Sequence, residues 1–254
     1  GLGVLALLLL LLRDTTAPRL HLEDSGPVLT RLRRYEMRGR IEDANPAFVL
    51  IGDREVRVDS RGRFRGVVEL DVGAQTLTCV AVDESGQRSE PARVVVTCDR
   101  EPPTLRFGPP GRPETGRFEL EITASEPGCT LRIGERPWRF RGDRLVLQLG
   151  ARELEAAGCE VEDAAGNRAP VRLPLRLIQS DSRGLAAILT EARPGDWLIL
   201  PPGRRRVTIA GRLDASIMAL EPGKTVLTAA DDRPVIHLDG GSLRLDGIVL
   251  ERAD

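Results

Sequence analysis

The sequence predicts an all-β protein with two repeated β-sandwich modules and a third segment of much shorter strands. Three observations support this fold class: a long internal repeat that aligns 78–88 with 158–168, apolar-polar alternation inside each repeat, and a change to brief apolar runs after residue 180. Single solenoid units are about 20 to 50 residues long, so this longer period indicates a whole small domain.

Length and composition favour several soluble domains. The chain has 254 residues, above the usual size of one domain. Hydrophobic residues make up 41% and aromatic residues 3%, so the cores must be built from Leu, Val, Ile and Ala. The formal net charge of −1 gives no indication of nucleic-acid binding, and we expect no nucleic-acid partner.

The repeat is clearest at the closing strand and turn of each module. Aligning 78–88 with 158–168 superimposes Cys79 on Cys159 and Asp83 on Asp163. The starts of the modules, at Asp14 and Asp99, repeat with a similar offset. These offsets predict one module over 14–98 and a second over 99–180. Asp83 and Asp163 are expected to stabilise their turns through backbone N–H groups.

Apolar residues alternate with polar ones in each module, the pattern of strands with one face in a core. The alternation covers the segments 64–70, 77–81, 94–98, 118–124 and 171–177. Pro174 in the last segment predicts an edge strand, because proline cannot donate to a central ladder. Short strands with Gly, Asp and Asn turns favour an antiparallel sandwich.

Short motifs mark the first two modules. They are Asp14-x-x-x-Pro18-x-Leu20, Gly39-Arg-Ile-Glu-Asp43, Gly62-Arg-Phe64, Leu70-Asp-Val-Gly73, Ala81-Val-Asp83 with Ser85-Gly86, and Asp163-Ala-Ala-Gly-Asn167 in the second module. With these motifs, 14–180 resembles the Ig-like modules found in tandem on bacterial secreted and surface proteins. The second module has no clear Gly-x-Ile-x-Asp strand. The resemblance implies two Ig-like β-sandwiches and says almost nothing about a ligand.

The third segment begins with a predicted short helix. Its apolar face is formed by Leu185, Ile188, Leu189 and Ala192, with Ser182 as a possible cap and a stop at Pro194-Gly195. Brief apolar runs follow, separated by tight turns: Trp197–Leu200, Val207–Ile209, Ile217–Leu220, Thr225–Leu227, Val235–Leu238, Leu243–Leu245 and Ile248–Leu250. The interval between the runs that start at Thr225 and Ile248 is a plausible length for one solenoid coil.

The helix and the run Pro194-Gly-Asp-Trp-Leu-Ile-Leu-Pro-Pro-Gly203 carry a second resemblance. With them, 182–252 is similar to the N-terminal part of pectate-lyase-like right-handed parallel β-helices. The resemblance implies that 181–254 is the truncated start of such a β-helix, with a short capping α-helix. It also implies that any catalytic carboxylates and basic residues would lie on later coils. Asp239, Arg244 and Asp246 carry no such motif, so we predict no catalytic residue.

The chain opens on an apolar run from Gly1 to Leu12, followed by Arg13. This run is too short to span a bilayer core, which takes about 20 residues. We predict that 1–13 is the end of a membrane anchor or a signal segment, and the anchor is favoured because no small-x-small cleavage site follows. A membrane partner and a cell-surface or extracellular location, anchored or secreted, are therefore expected.

Four cysteines are the clearest chemical signal. Cys79 and Cys98 lie on strands joined by one turn, and Cys129 and Cys159 share parity with core residues of the second module. In an exported protein the hypothesis is two disulfides, Cys79–Cys98 and Cys129–Cys159, with buried free thiols as the alternative. We predict no metal site, because there is no Cys-x-x-Cys motif and acidic residues at the module joints fit solvated linkers.

Arginines are concentrated in two places. Arg204, Arg205 and Arg206 follow the first solenoid turn, and five more arginines lie between residues 31 and 40. Such clusters could contact an acidic polysaccharide or lipid head groups, or they could be solvated faces of an arginine-rich chain. We expect no cofactor, since Gly223-Lys-Thr225 lacks the first glycine of a phosphate-binding loop.

Three functions remain open at this point. The favoured one is a non-catalytic extracellular surface, spacer or adhesive module that binds a cell-surface or matrix polysaccharide or another surface protein. The first alternative is the N-terminal part of a β-helix polysaccharide lyase or hydrolase whose catalytic coils are missing. The second is the extracellular sensor region of a membrane signalling protein such as a receptor kinase.

Overall fold

The computed structural model describes residues 16–111, 117–155, 158–178, 185–229 and 234–251. The chain divides into two compact units: residues up to Glu101 with Ala164–Asn167, and Pro102–Asp163 with Arg168 onward. The described residues are nearly all β, which confirms the predicted fold class at that level. The predicted segment 1–13 lies outside the described residues. No helix among the described residues has the length and apolar character needed to cross a membrane.

The first unit has two sheets that enclose one core. Its strands are β1 (Arg19–Leu22), β2 (Val28–Thr30), β3 (Arg34–Glu42), β4 (Pro46–Ile51), β5 (Arg54–Arg57), β6 (Arg63–Glu69), β7 (Gly73–Asp83) and β8 (Ala92–Cys98). One sheet has the order β1-β3-β6 and the other the order β2-β8-β7-β4-β5, with only β2 and β8 parallel among the pairs described there.

The core of the first unit is closed by that unit's own strands. All members of its hydrophobic cluster, buried or partly buried, lie between Leu20 and Cys98. Val49, Ala81 and Val96 from one sheet and Met37 from the other are at most 1% exposed. The predicted role of Asp83 is also confirmed, because its Oδ1 accepts a hydrogen bond of 2.8 Å from the Gln87 N–H. These two packed sheets are the first sandwich.

The second unit begins with two antiparallel sheets of orders β13-β10-β9 and β12-β11-β14-β15. The strands are β9 (Leu105–Phe107), β10 (Phe118–Ala124), β11 (Thr130–Ile133), β12 (Arg136–Arg139), β13 (Arg144–Leu149), β14 (Cys159–Glu162) and β15 (Arg168–Pro170). A short helix that the sequence did not predict, α1 (Ala151–Glu155), follows β13. Glu153 accepts a hydrogen bond from the Gly150 N–H at 2.9 Å, which is one half of a capping box. These two sheets are the second sandwich.

The remaining strands of the second unit form two parallel sheets. The strands are β16 (Leu175–Leu177), β17 (Trp197–Leu200), β18 (Gly203–Arg206), β19 (Ile209–Ala219), β20 (Thr225–Thr228), β21 (Ile236–Asp246) and β22 (Ile248–Glu251), with the helix α2 (Leu185–Thr190) between β16 and β17. The sheets have the orders β16-β17-β19-β21 and β18-β20-β22. Leu185, Ile188 and Leu189 of α2 are buried, as the sequence predicts.

From β17 onward the chain alternates between the two parallel sheets. Consecutive strands belong to opposite sheets, and each strand pairs in parallel with the strand two further along. The sequence predicted that the runs starting at Thr225 and Ile248 occupy equivalent positions. In the structure Thr225 is directly opposite Ile248 in the pair of β20 and β22. One assignment is wrong: Leu175–Leu177, expected in the second sandwich, pairs in parallel with β17. Pro174 does precede an edge strand, as predicted.

Strand β17 is buried on both faces. Trp197 and Ile199 belong to the core of the second sandwich, whereas Leu198 and Leu200 belong to the core between the parallel sheets. Each of the four is at most 7% exposed. The uninterrupted apolar run of β17 follows from this position, because a strand with two packed faces has no solvent side for polar residues.

Candidate functional site

A polar cleft of about 470 Å³ lies over the four-stranded parallel sheet. Its walls include Asp214 and Ser216 from β19, Ser242 and Arg244 from β21, and the turn Pro194–Gly195. Residues two apart on a strand face the same side, and the register places Asp214 opposite Ser242 and Ser216 opposite Arg244. Alternation along both strands therefore places these four polar side chains on one face of the sheet, as two neighbouring cross-strand pairs. We call this cleft the serine cleft.

Hydrogen bonds fix the acidic end of the serine cleft. Asp214 Oδ1 accepts the Ser242 N–H at 3.1 Å and the Ser242 hydroxyl at 3.3 Å. Asp214 and Ser242 are solvent-exposed and Ser216 is half-buried. The arrangement offers a carboxylate acceptor and hydroxyl groups to a polar ligand.

The basic end is held by an aromatic ring. The Arg244 guanidinium lies over the Trp197 indole, 5.0 Å from the ring centroid, and its Nη2 is 3.8 Å from Asp246 Oδ2. A cation over an indole face is attracted by the ring quadrupole. Arg244 is thus positioned to hold an anionic or hydroxyl group of a ligand. Its guanidinium also covers the face of the Trp197 indole. Sequence analysis identified no motif at Arg244, because its partner Trp197 lies on a different strand, β17, far from β21 in the sequence.

The serine cleft has few groups for acid-base chemistry. Among the described residues that line it, Asp214 is the single carboxylate and there is no histidine. Glycoside hydrolysis ordinarily uses two carboxyl groups on either side of the scissile bond.

The structure only partly brings together the predicted polyanion contact. Arg204 and Arg206 are exposed, whereas Arg205 points to the other side of β18 and donates a hydrogen bond of 2.9 Å to the Pro201 carbonyl. Arg204 pairs with Glu251 at 2.6 Å. Strand geometry separates neighbouring side chains onto opposite faces, so three consecutive arginines do not form one patch.

The two predicted disulfides are wrong in this structure. Cys79 is opposite Ala92 while Cys98 is opposite Gly73, six residues further along the ladder or about 20 Å. Cys159 is opposite Ile133, four residues beyond Cys129, which corresponds to about 13 Å. A disulfide needs Cα atoms within about 7 Å, and all four cysteines are free.

The thiols fit structural rather than reactive roles. Burial raises the pKa of Cys79, Cys129 and Cys159 to about 11 in each case. The Cys129 thiol donates a hydrogen bond of 3.4 Å to the Glu126 carbonyl. A thiol that stays protonated at neutral pH is a poor nucleophile.

Comparison with known proteins identifies no family. No protein-family model matches the chain, and no curated protein matches it. Three solved structures with some likeness are the fibronectin(III)-like modules of CbhA from Clostridium thermocellum, a chimeric titin Z1Z2, and Bacteroides ovatus SGBP-B of a mixed-linkage glucan utilization locus in complex with a mixed-linkage heptasaccharide.

These likenesses are distant. The CbhA modules share 14% identity over 60% of this chain and 90% of that chain, with a TM-score of 0.38. The titin chimera shares 14% identity over 62% of this chain and 94% of that chain, with a TM-score of 0.28. SGBP-B shares 12% identity over 65% of this chain and 50% of that chain, with a TM-score of 0.24. At these TM-scores the likenesses carry no argument about this chain.

Proposed function

We propose that this chain is a non-catalytic module of an extracellular surface protein. Two Ig-like sandwiches carry the first coils of a right-handed β-helix, and the serine cleft on that β-helix binds a polysaccharide. The observation that carries the proposal is the cleft itself: a carboxylate, two hydroxyls and a ring-supported guanidinium on one face of two neighbouring strands, without a second carboxylate among the described lining residues.

The strand order supports a β-helix. Parallel strands alternate between two sheets, and Trp197 pairs with Ser216, Gly203 with Thr225, and Thr225 with Ile248, so each return to a sheet takes a similar length of chain. A chain that visits two sheets in turn and advances one strand at each return is a solenoid. Connections between parallel strands of one sheet are right-handed in nearly all proteins, which supports right-handed coils here.

The chemistry of the serine cleft suits sugars. Asp214 can accept hydrogen bonds from hydroxyl groups, Ser216 and Ser242 can both donate and accept, and Arg244 can donate to hydroxyl or carboxylate oxygens. A polysaccharide carries many hydroxyl and carboxylate groups, which can pair with the carboxylate, hydroxyl and guanidinium groups of the cleft. The sandwiches then act as spacers that present the β-helix.

Binding to an array of neutral and uronate oligosaccharides tests this function. Asp214→Ala is expected to weaken binding of the preferred oligosaccharide by about tenfold, since it removes a hydrogen-bonding charge. Asp239→Ala, on the neighbouring strand β21 but outside the cleft, is the matched control and should bind as the parent chain does.

A lyase assay on polygalacturonate separates binding from catalysis. The parent chain is expected to yield no unsaturated product. Reproducible unsaturated product that Asp214→Ala abolishes would show that the module is catalytic. Equal binding by the parent and Asp214→Ala would contradict the cleft as the binding site.

A further inference from the structure

Arginines cover the outer face of the three-stranded sheet in the first sandwich. The residues are Arg19 on β1, Arg34, Arg38 and Arg40 on β3, and Arg63 and Arg65 on β6, all exposed. Three glutamates share this face: Glu36, Glu42 and Glu69. Six guanidinium groups against three carboxylates leave an excess of three positive charges. We call this surface the arginine face.

Like charges stand directly opposite one another in the arginine face. The register pairs Arg38 with Arg65 and Arg40 with Arg63 on neighbouring rungs. Side chains opposite each other on a sheet begin about 5 Å apart, and like charges at that distance destabilise the pair. Four guanidinium groups on adjacent rungs are therefore an arrangement that the sheet's stability does not favour.

Carboxylates compensate only one of these two rungs. Glu36 pairs with both Arg38 and Arg65. Within the part of the chain that the structure describes, Arg40 and Arg63 have no ion pair with a carboxylate. The two guanidinium groups face each other and remain available to an external anion.

Arginine-rich composition does not explain this segregation. The sheet β9-β10-β13 holds the corresponding place in the second sandwich, and its outer face carries Glu119 and Glu121 on β10 against Arg106 and Arg144 on the flanking strands. The two long strands β7 and β8 in the other sheet of the first sandwich carry one charge on their outer side. Their outward positions are Ala74, Thr76, Thr78, Val80, Arg93, Val95 and Thr97.

The arginine face extends into a concave surface. A cleft of about 450 Å³ is lined by Arg38, Arg57, Arg63 and Arg65, with Glu23 and Asp59 as its acidic residues. Asp59 Oδ1 accepts the backbone N–H groups of Arg63 and Arg61 at 2.8 Å each, and these bonds hold the pKa of Asp59 below its usual value. That carboxylate is therefore engaged first by the backbone, and it also attracts the Arg63 and Arg61 guanidinium groups.

Phe64 shapes the sheet beneath this cleft. It lies opposite Gly39, where an added Cβ would fall 2.5 Å from the ring and 2.4 Å from the His21 carbonyl oxygen. Glycine is needed here because the ring crosses the neighbouring strand. The ring is 4% exposed and belongs to the core of the first sandwich.

We propose that the arginine face binds an anionic polysaccharide, with its carboxylate or sulfate groups held by Arg40, Arg63 and the cleft arginines. Guanidinium groups bind planar oxyanions through two parallel hydrogen bonds. The described outer face carries one exposed aromatic ring, His21 opposite Arg40, which is too few for stacking successive nucleic-acid bases. Val67 is its one exposed large apolar side chain, too little for insertion into a membrane surface. This inference takes from the proposed function only the class of ligand, a polysaccharide; the binding site itself is a different one.

Binding of polygalacturonate and heparin to the full chain tests the arginine face. Arg40→Gln with Arg63→Gln is expected to weaken binding of at least one of these polymers about tenfold or more, since each lost charged hydrogen bond contributes to affinity. Arg106→Gln with Arg144→Gln is the matched control, because it removes the same charge from the corresponding sheet and should change binding less than about twofold. Both double variants replace exposed residues and should keep the parent's melting transition.

Three results would overturn the arginine face as a polysaccharide site. Equal losses in the two double variants would mean that net charge alone is measured. Equal or tighter binding of a DNA duplex, or of vesicles of phosphatidylserine and phosphatidylcholine, would mean a different class of partner. Absence of binding to both polyanions would also refute it. The outcome is separate from that of the serine cleft, because Asp214→Ala is expected to leave heparin binding by the arginine face unchanged.

Discussion

The two sandwiches share one sequence pattern but close their cores differently. In the first sandwich, every core residue comes from the module's own segment between Leu20 and Cys98. In the second, the core also takes in Leu175, Trp197, Ile199 and Met218, which belong to or flank the parallel strands. Within the described residues, the first sandwich therefore completes its hydrophobic core without strands of the second unit. The second shares its core with the parallel sheet that follows it.

Strand β17 makes the difference visible in the sequence. In β8 of the first sandwich, buried Val94, Val96 and Cys98 alternate with exposed or half-buried residues. All four residues of β17 are buried. A strand that packs on both faces joins the two cores, so the second sandwich and the parallel sheets should unfold together.

The largest expected effect comes from breaking this junction at Ile199. Ile199 is fully buried in the core of the second sandwich, and Ile199→Ala should lower the free energy of unfolding of the second unit by about 2 to 5 kcal/mol. The chain has two tryptophans, Trp138 in β12 and Trp197 in β17. Tryptophan fluorescence during urea denaturation therefore follows the second unit alone.

Single-tryptophan variants test whether the core is shared. Trp138→Phe leaves a reporter in the parallel sheet and Trp197→Phe leaves one in the second sandwich, and their denaturation curves should have the same cooperative form. Met37→Ala, at an equally buried position of the first sandwich, is the control and should not move the fluorescence transition. Two transitions separated within the second unit would contradict the shared core.

Local sequence patterns identified many buried faces, but they did not fix strand ends or pairing: the predicted runs 235–238 and 243–245 lie largely in one strand, β21. Alternation correctly identified the buried faces of 118–124 and 77–81, and the helix face at Leu185 and Leu189. The same alternation in 171–177 is compatible with an antiparallel edge or with a parallel edge, and only contact with β17 decides between them. Parity likewise placed the cysteines towards the cores, whereas the register that separates them depends on the partner strand.

The candidate sites could not be predicted from the sequence for the same reason: they depend on strand pairing. Asp214 and Ser242 lie on β19 and β21, and Arg40 and Arg63 lie on β3 and β6, so no local motif joins either pair. The sequence did reveal the crowding of arginines between residues 31 and 40. It could not show that β6 adds two more arginines on facing rungs, because the register of β3 and β6 is fixed by the core side of the sheet.

Alkaline pH should destabilise the second unit with a slope set by its buried thiols. The pKa of Cys129 and of Cys159 is about 11 in the folded chain, raised from about 9 by burial. The unfolded chain therefore loses these protons first, so stability is full below about pH 9 and falls as pH rises towards 11. The buried Cys129 thiol contributes a slope of up to about 1.4 kcal/mol per pH unit in that window, and the partly exposed Cys159 thiol contributes less because solvent screens it.

Urea denaturation between pH 8 and pH 10.5, followed by tryptophan fluorescence, measures this slope. Cys129→Ala should reduce it, because one of the two thiols that ionise on unfolding is gone. Cys79→Ala is the matched control: burial raises the pKa of that thiol equally, but it lies in the first unit. A second-unit stability that does not change over this range would contradict the burial of its thiols.

The smallest expected effect is that of a reductant. We expect no shift of either sandwich's transition, and this result would test the cysteine placement in both. The loss of a native disulfide from a small domain typically costs about 2 to 5 kcal/mol, so reductant should shift a melting transition by several degrees if either pair were bonded. The ladder registers keep Cys79 from Cys98 and Cys129 from Cys159, and the transitions should therefore coincide with and without dithiothreitol. Four thiols should react with a thiol reagent after denaturation without reductant. A shift confined to the tryptophan transition would place the register error in the strand pair β11 and β14, whereas a shift in far-ultraviolet circular dichroism with an unchanged tryptophan transition would place it in β7 and β8.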